Sequence, residues 1–431
     1  MLNNLKDIVL NQKLEKEELL TRSYIIRTQE PFAKKWLDTE LIKVVLGPRR
    51  AGKSIFSLML LKDRPFMYFN FDDEVLFGMS GVVTHELMKE LHAQYGDIKT
   101  VLFDEIQNLH GWELFANRLH REGYNIILTG SNAHLLSKEL ATHLTGRHMP
   151  IEILPFNFNE FMRAKNFTVH PEYGSLPEYK GRLLKLIEEY LVSGGFPDVV
   201  IKNMDPRDYL EVLFDALLFK DVIKRHRVKF STQVSKLGTH LINNFSSLYT
   251  VNKIQKILNF KSVTTTDKYI NYLEEAYLIF SLHQYSYKSI ERLKSPRKVY
   301  IIDNGFINAK AIQHSPNKGK LMENLIFTEL VKRGVKPNRH LFYYKTRNDK
   351  EVDFLIKNDL AVIELIQVCY DITNIDTEER EIKALVEAAG ELEVTKLTLL
   401  TWDEKREVKK KGMTIQLVPL WEWLTINTKV K

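Results

Sequence analysis

Apolar positions along the chain fall into two regimes. From Leu41 to Leu154 they gather in short unbroken runs: Leu41–Leu46, Phe66–Phe71, Val101–Phe103, Asn125–Leu128 and Pro150–Leu154. Stretches of helical character lie between them, such as Ile55–Leu61. Short unbroken runs suit strands buried on both faces, and strands alternating with helices predict a parallel sheet covered on both sides. Residues 1 to about 30 are polar and mixed in charge, and read as a helix leading into this first domain.

Beyond residue 200 the pattern turns helical and then mixed. Tyr209–Lys229 reads as a helix ending in Lys220, Lys224, Arg225, His226, Arg227 and Lys229, with Asp221 among them. Such a cluster is either a solvated face or a phosphate contact. Val251–Leu258 reads as a short helix, Asn259–Ser262 as a turn, and a second helix opens at Val263 and runs through Tyr269, Tyr272, Leu273 and Ala276 to a strand at Leu278–Leu282. This is the helix-turn-helix plan, here of winged-helix type. It makes Ser262, Thr264, Thr265, Thr266 and Lys268 the candidates for base contact; a packing or protein-contact module is the alternative. Lys288–Lys298 reads as a basic linker or wing loop interrupted by Ser295-Pro296. A new strand at Val299–Asp303 then places a boundary near 295.

The remainder reads as helix Lys320–Arg333, strands at Leu341–Tyr344, Glu351–Ile356 and Ala361–Cys369, a helix around Arg380–Ala389 and a strand at Lys396–Thr401. A charged hairpin-like turn over Asp403–Gly412, whose Lys409–Lys411 are either an exposed turn or a nucleic-acid contact, a last strand Thr414–Val418, and Trp421 and Trp423 closing the core complete it. The expected division is 1–230, 231–294 and 295–431.

Composition adds bounds. With 431 residues, 44% of them hydrophobic, the chain has material for two or three packed domains. No apolar run approaches the ~20 residues of a membrane span, and residues 1–18 lack the apolar core of a secretion signal. A single cysteine, Cys369, excludes an internal disulfide framework and fits a cytoplasmic protein. The net charge of +7 permits an acidic partner without requiring one.

Chemistry concentrates after the first strand. Gly47, Pro48, Arg49, Arg50, Ala51, Gly52, Lys53 and Ser54 fill the P-loop pattern G-x-x-x-x-G-K-[ST], and Ile55 opens the helix behind it. The glycines let backbone N–H groups approach phosphate oxygens, Lys53 reaches the β- and γ-phosphates, and the Ser54 hydroxyl is a Mg²⁺ ligand. Val101–Phe103 runs into Asp104 and Glu105, the Walker B arrangement: Asp104 supports Mg²⁺ and Glu105 orients or deprotonates the attacking water. Ser131, with Asn132, ends the strand Ile126–Thr129, either contacting the γ-phosphate or water, or capping the next helix. Arg147 is either a finger for the transferred phosphoryl group, within the chain or across a subunit interface, or a structural ion pair. Asp72 and Asp73, at another strand end, read as a cap or turn, or as acids near the nucleotide pocket.

Together, Gly47–Ser54, Leu102-Phe-Asp-Glu-Ile-Gln107, Leu128-Thr-Gly-Ser131 and Leu144-Thr-Gly-Arg147 resemble the AAA-type ATPases of the archaeal-ATPase group, whose P-loop domain precedes a domain of unknown function. Leu154–Phe161, Ser193-Gly-Gly-Phe-Pro197, Glu323-Asn324, Glu329-Leu330, Glu351-Val-Asp353-Phe and Pro419–Leu424 extend the resemblance over nearly the whole chain. It implies an ATP- and Mg²⁺-dependent hydrolase. The C-terminal order of elements resembles the core of PD-(D/E)xK nucleases, in which Glu323, Asp353 and an E-x-K would gather Mg²⁺. Here that last position reads Gln367-Val368-Cys369, and the register at Glu364 has an isoleucine where the lysine belongs. The domain is therefore expected to be nuclease-like in fold and inactive, with a lysine-free site of Glu323, Asp353 and Glu364 as the alternative. The resulting expectation is an ATPase whose C-terminal parts bind DNA or a protein partner, with a homo-oligomer if Arg147 acts in trans. A nucleotide-gated switch and an ATP-regulated nuclease are the rival readings.

Overall fold

In the computed structural model the described residues are 2–73, 76, 84–131, 146–168, 176–202, 204–312 and 317–425. Asn132, Leu144 and Thr145 of the sequence motifs lie outside them. The chain clusters into two compact units, Met1–Pro155 with Glu275–Tyr277, and Phe156–Glu274 with Leu278–Lys431.

In the first unit the apolar runs become five parallel strands: β1 (Ile42–Leu46), β2 (Met67–Asn70), β3 (Thr100–Asp104), β4 (Asn125–Gly130) and β5 (His148–Glu152), in the order β2-β3-β4-β1-β5. Successive strand residues face opposite ways, so each run feeds two cores. Val44, Phe69, Phe103 and Leu128 pack with α1 (Leu2–Thr21), α4 (Thr84–Tyr95) and α5 (Trp112–Arg121). Val45, Tyr68, Leu102 and Ile127 pack on the other side with α2 (Glu30–Lys34) and α3 (Lys53–Leu61). The polar helix expected at the N-terminus is α1. It buries Leu5, Ile8 and Val9, and its Gln12 serves the edge strand: the amide oxygen accepts from the Asn70 N–H at 2.9 Å and the amide nitrogen donates to the Asn70 carbonyl at 3.1 Å. A side chain thus takes the place of a sixth strand on an open edge.

The second unit begins with α6 (Phe158–Ala164), α7 (Pro177–Ser193), α8 (Pro197–Lys202) and α9 (Pro206–Leu217), which continues as a π-helical segment, Leu218–Lys224. The helices expected to continue the first domain to residue 230 cluster here instead. α10 (Ser231–Asn243), β6 (Ser247–Tyr249), α11 (Val251–Ile257), α12 (Val263–Glu275), β7 (Ile279–His283), α13 (Ser289–Lys294) and β8 (Arg297–Ile301) follow. β8 pairs antiparallel with both β6 and β7. The boundary expected near 295 therefore falls inside a three-stranded sheet, because Lys298 belongs to β8 and not to a linker.

After α14 (Asn304–Lys310), the largely buried α15 (Lys318–Lys332) precedes a six-stranded mixed sheet. Its strands are β9 (Leu341–Lys345), β10 (Glu351–Asn358), β11 (Ala361–Cys369), β12 (Leu397–Thr401), β13 (Arg406–Lys410) and β14 (Met413–Pro419), in the order β13-β14-β12-β11-β10-β9. α16 (Ile375–Leu392) is the crossover that the parallel pair β11 and β12 requires. The expected charged hairpin is β13 paired antiparallel with β14: Lys409 and Lys410 lie in β13, and Lys411-Gly412 make the turn. The two tryptophans do not close the core. In α17 (Leu420–Thr425) Leu420 and Leu424 are buried, whereas Trp421 and Trp423 are partly exposed, with Trp421 donating to Asp403 at 3.0 Å.

Lys43 is fully buried in β1, donating to the Thr39 carbonyl at 2.9 Å and to Asn125. Burial holds its pKa down at about 8. The unfolded chain therefore binds one more proton than the folded chain between about pH 8 and 10.5, and stability rises with pH there. Urea unfolding is expected to show this rise, at most about 1.4 kcal/mol per pH unit, in the wild type and not in Lys43→Met; parallel curves for the two proteins would refute it.

Candidate functional site

The carboxyl ends of β1, β3 and β4 meet at one edge of the first unit's sheet, where open α/β sheets place their ligands. The loop after β1 passes so close to the next strand that a Cβ on Gly47 (φ 145°) would lie 1.9 Å from the Ile153 carbonyl oxygen. Gly52 (φ 90°) is left-handed and caps α3, whose first turn carries Lys53, Ser54 and Ile55. Pro48 and Ala51 are buried, Arg49 is half-buried beside Asp72 at 3.6 Å, and Arg50 is exposed with φ 65°. Lys53 is buried, donates to the Pro48 carbonyl at 3.1 Å and stands 3.7 Å from a Glu105 oxygen.

Asp104 is the node of this edge. Its carboxylate accepts from Ser54 Oγ at 2.9 Å, from Thr129 Oγ1, and from Tyr68 Oη at 3.4 Å, so that three strands and the P-loop helix are tied to one buried acid. Burial raises its pKa; the bonds from Thr129 and Ser54 and the charge of Lys53 work the other way, while Glu105 adds to the rise. The chain turns sharply just beyond. Glu105 adopts φ 48°, ψ 46°, a left-handed conformation that costs about 1–2 kcal/mol in a non-glycine residue. The Glu105 N–H donates to Thr129 Oγ1 at 3.0 Å, and the carboxylate accepts from Gln107 Nε2. Ser131 is buried at the end of β4.

Arg27 is the residue that composition hid. In the sequence Arg27 is one charge in a polar, mixed stretch, yet it is buried and donates to the Ala51 carbonyl at 2.8 Å and to the Leu154 carbonyl, bracing the P-loop backbone. A charged residue alone in a polar segment carries no signal for such a role.

Arg147 is not brought to this edge. It is exposed and precedes β5, its carbonyl accepting from the Ile42 N–H, so it lies at the amino edge of the sheet. The length of β1, about 16 Å at ~3.3 Å per residue, separates it from the loop. A finger role within the chain is excluded on that geometry.

These residues fit a magnesium nucleotide. The close-packed glycine, the left-handed cap and the α3 N-terminus form the cradle, Ser54 and Asp104 supply hard oxygen ligands, and Lys53 supplies the cation. The family comparisons agree. Residues 39–162 match the AAA domain, 184–316 a domain of unknown function (DUF8612) and 318–423 another (DUF4143). The chain has an AAA-type P-loop domain, and with it a nucleotide site. An uncharacterized protein, MJ1544, of Methanocaldococcus jannaschii is 36% identical, covering 96% of each chain. An uncharacterized protein of Haemophilus influenzae is 32% identical over 78% of this chain and 84% of its own. The chain belongs to their family. A Walker-type ATPase of Pyrococcus abyssi aligns with 67% of this chain and 96% of its own, at 17% identity and a TM-score of 0.44.

A second cluster of charge lies in the second unit. Lys298 is buried, with its ammonium 2.8 Å from Glu323, 2.7 Å from Glu351 and 2.8 Å from Asp353. Tyr300 Oη donates to Glu323 at 2.7 Å. Burial pushes Glu323 up to about 7, against the pull of Lys298. Asp353 and Gln367 do meet: the Asp353 N–H donates to Gln367 Oε1 at 3.1 Å, and Gln367 donates onward to Glu381 at 2.6 Å. Glu364 stays apart, held by Lys396 at 2.8 Å and Thr398 at 2.9 Å, so the lysine-free trio of Glu323, Asp353 and Glu364 is not assembled. Among the described residues no group of three or more His, Cys, Asp or Glu side chains is arranged to hold a metal ion.

Of the candidate base-contacting residues, Ser262 and Thr264 are exposed, whereas Thr266 is buried with its hydroxyl on the Ser262 carbonyl at 3.0 Å. Ser262 also caps the helix, accepting from the Thr265 N–H at 3.1 Å.

Lys298→Met leaves the buried carboxylates of Glu323 and Asp353, and the partly exposed one of Glu351, without their cation. It is expected to lower the unfolding free energy by about 3–5 kcal/mol near pH 7. The loss should shrink toward pH 5 as Glu323, pushed up to about 7 by burial, protonates, with urea denaturation as the measurement. Equal stability of the two proteins at both pH values would show that the ammonium holds nothing together.

Proposed function

We propose that the first unit binds and hydrolyses ATP with Mg²⁺, and that the second unit reads a partner, DNA or protein, under its control. The observation that carries the first part is the convergence of Lys53, Ser54, Asp104 and Glu105 on one sheet edge, with Ser54 on Asp104 at 2.9 Å and Lys53 beside Glu105 at 3.7 Å. The N–H groups of Gly47–Ser54 and the Lys53 ammonium hold the phosphates. Ser54 and Asp104 hold Mg²⁺, which supplies charge neutralisation at the phosphates. Glu105 takes the proton of the attacking water, and Thr129 fixes the Glu105 backbone so that its carboxylate faces the loop. Arg147, exposed at the far edge, keeps two roles in this reading: a finger toward the nucleotide of a second copy, or a structural ion pair.

The second reading, a nucleotide-gated switch with little turnover, draws on the Glu105 carboxylate being engaged by Gln107 as well as neighbouring Lys53. A base held this way turns over only when the nucleotide draws it free. Phosphate release separates the readings. Glu105→Gln is expected to lower hydrolysis by about a hundredfold or more while fluorescent ATP still binds. Wild-type release no faster than that of Glu105→Gln, with and without DNA, would leave the switch reading in place.

The six-stranded sheet with Glu323 and Asp353 supports a nuclease-like ancestry for the C-terminal part. We read it as binding and not cleaving, since a lysine ammonium stands among its acids. Plasmid incubated with Mg²⁺ or Mn²⁺ is expected to stay intact; cleavage that Asp353→Ala abolishes would reverse this reading.

A further inference from the structure

Between Asp221 and Asp267 the chain has no aspartate or glutamate, although these make up 55 of its 431 residues. The same stretch carries eight lysines and arginines, more than the +7 excess of the whole chain. Elsewhere, therefore, charge is close to balanced, and the basic character of the protein resides in one segment.

Folding brings the two ends of this segment together. The end of the π-helical segment lies against α12: the His226 ring stacks on Tyr272 with centroids 3.5 Å apart and planes 9° apart. The Lys268 ammonium lies over the Tyr272 ring at 5.6 Å, and the Lys261 ammonium over the Phe230 ring at 5.3 Å. Arg227, Lys229, Lys261 and Lys268 are exposed around the equally exposed first turn of α12, Ser262, Val263 and Thr264. Three acids bordering the segment already have partners. Asp221 is buried and bound to Arg225 at 3.0 Å, Asp267 pairs with Arg297 at 2.8 Å, and Glu274 accepts from the Ser281 N–H at 3.0 Å. Beside this face a groove of about 420 Å³ runs along α10, lined by Ser235, Lys236, Thr239 and His240 and closed by Leu258. Its polar groups are hydroxyl, ammonium and imidazole donors suited to phosphate oxygens.

We propose that this face binds duplex DNA. The first turn of α12 enters the major groove, and Arg227, Lys229, Lys261 and Lys268 hold the phosphates on either side. A B-form major groove about 12 Å wide admits a helix, whereas the deep, narrow groove of A-form RNA does not. The small side chains of Ser262 and Thr264 let the helix approach the base edges. The proposal rests on the second unit being a partner reader. It does not depend on ATP turnover, so its failure and that of the ATPase reading are separately visible.

The test is fluorescence anisotropy of the full chain with a short labelled DNA duplex, without nucleotide, from about 50 to about 200 mM salt. Four phosphate contacts predict about a hundredfold loss of affinity over that range. Lys261→Glu with Lys268→Glu is expected to weaken binding at least tenfold at the lower salt, while its thermal unfolding matches the wild type. Lys409→Glu with Lys410→Glu, a charge reversal of the same size on β13, is expected to leave binding within about twofold. Equal loss in both double variants would reduce the effect to net charge and overturn the site. A flat salt response, or no binding, would overturn the DNA proposal in favour of a protein partner. An RNA duplex bound as tightly as DNA would overturn entry of α12 into the major groove. If the Lys261/Lys268 variant melts early, Lys261→Gln with Lys268→Gln replaces it, and unchanged affinity there overturns the proposal.

Discussion

The first unit depends on one buried carboxylate. Asp104 stands at the end of β3, where burial opposes its charge, and it remains useful only because Ser54, Thr129 and Tyr68 surround it with donors. Each donor comes from a different element: α3 after the P-loop, β4 and β2. The acid is thus a fastener between the loop that cradles phosphate and the strands beside it. Loss of any one hydroxyl loosens a contact to the nucleotide site as well as a contact within the fold. The left-handed turn at Glu105 is a consequence of the same arrangement, since Thr129 accepts the Glu105 N–H and donates to Asp104. The strain of that turn is held in place by a hydroxyl that is already committed.

The second unit solves the problem of buried acids in the opposite way. Glu323, Glu351 and Asp353 converge as carboxylates do around a divalent cation, but the cation is the Lys298 ammonium of β8. The two units therefore differ in what meets their acids: hydroxyl donors around Asp104 in one, the Lys298 ammonium among Glu323, Glu351 and Asp353 in the other. The same unit carries a segment stripped of acids over the stretch from Val222 to Thr266, so its free positive charge faces outward while its free negative charge is neutralised inside.

Much of the fold was legible. The five apolar runs became the five parallel strands because residues buried on both faces of a sheet have no alternation to hide. The P-loop and Asp104-Glu105 were legible because their spacing reflects contacts within one strand–loop–helix unit or at a strand end. Less visible were partners joined by long-range packing. Arg27 looked like any surface arginine until Ala51 and Leu154 came to meet it, and Thr129 looked like a strand residue until Asp104 stood beside it. Trp421 and Trp423 misled because their size suggests a core, while the register of a short helix turned Leu420 and Leu424 inward instead.

Two placements depended entirely on tertiary structure. Arg147 lies only a few residues from a strand that helps to form the nucleotide edge, yet parallel pairing of β5 with β1 puts it at the opposite end of the sheet. Lys298 lies in a run of basic residues that reads as a linker, yet β6 and β7 pair on both sides of β8 and draw it into the interior. The sequence by itself determined the class of site at Gly47–Ser54 and Asp104-Glu105, because those residues act through backbone geometry close to them in the chain. Which arginine reaches that site, and which cation sits among Glu323, Glu351 and Asp353, was decided by strand order and direction, which residues distant in the chain set together.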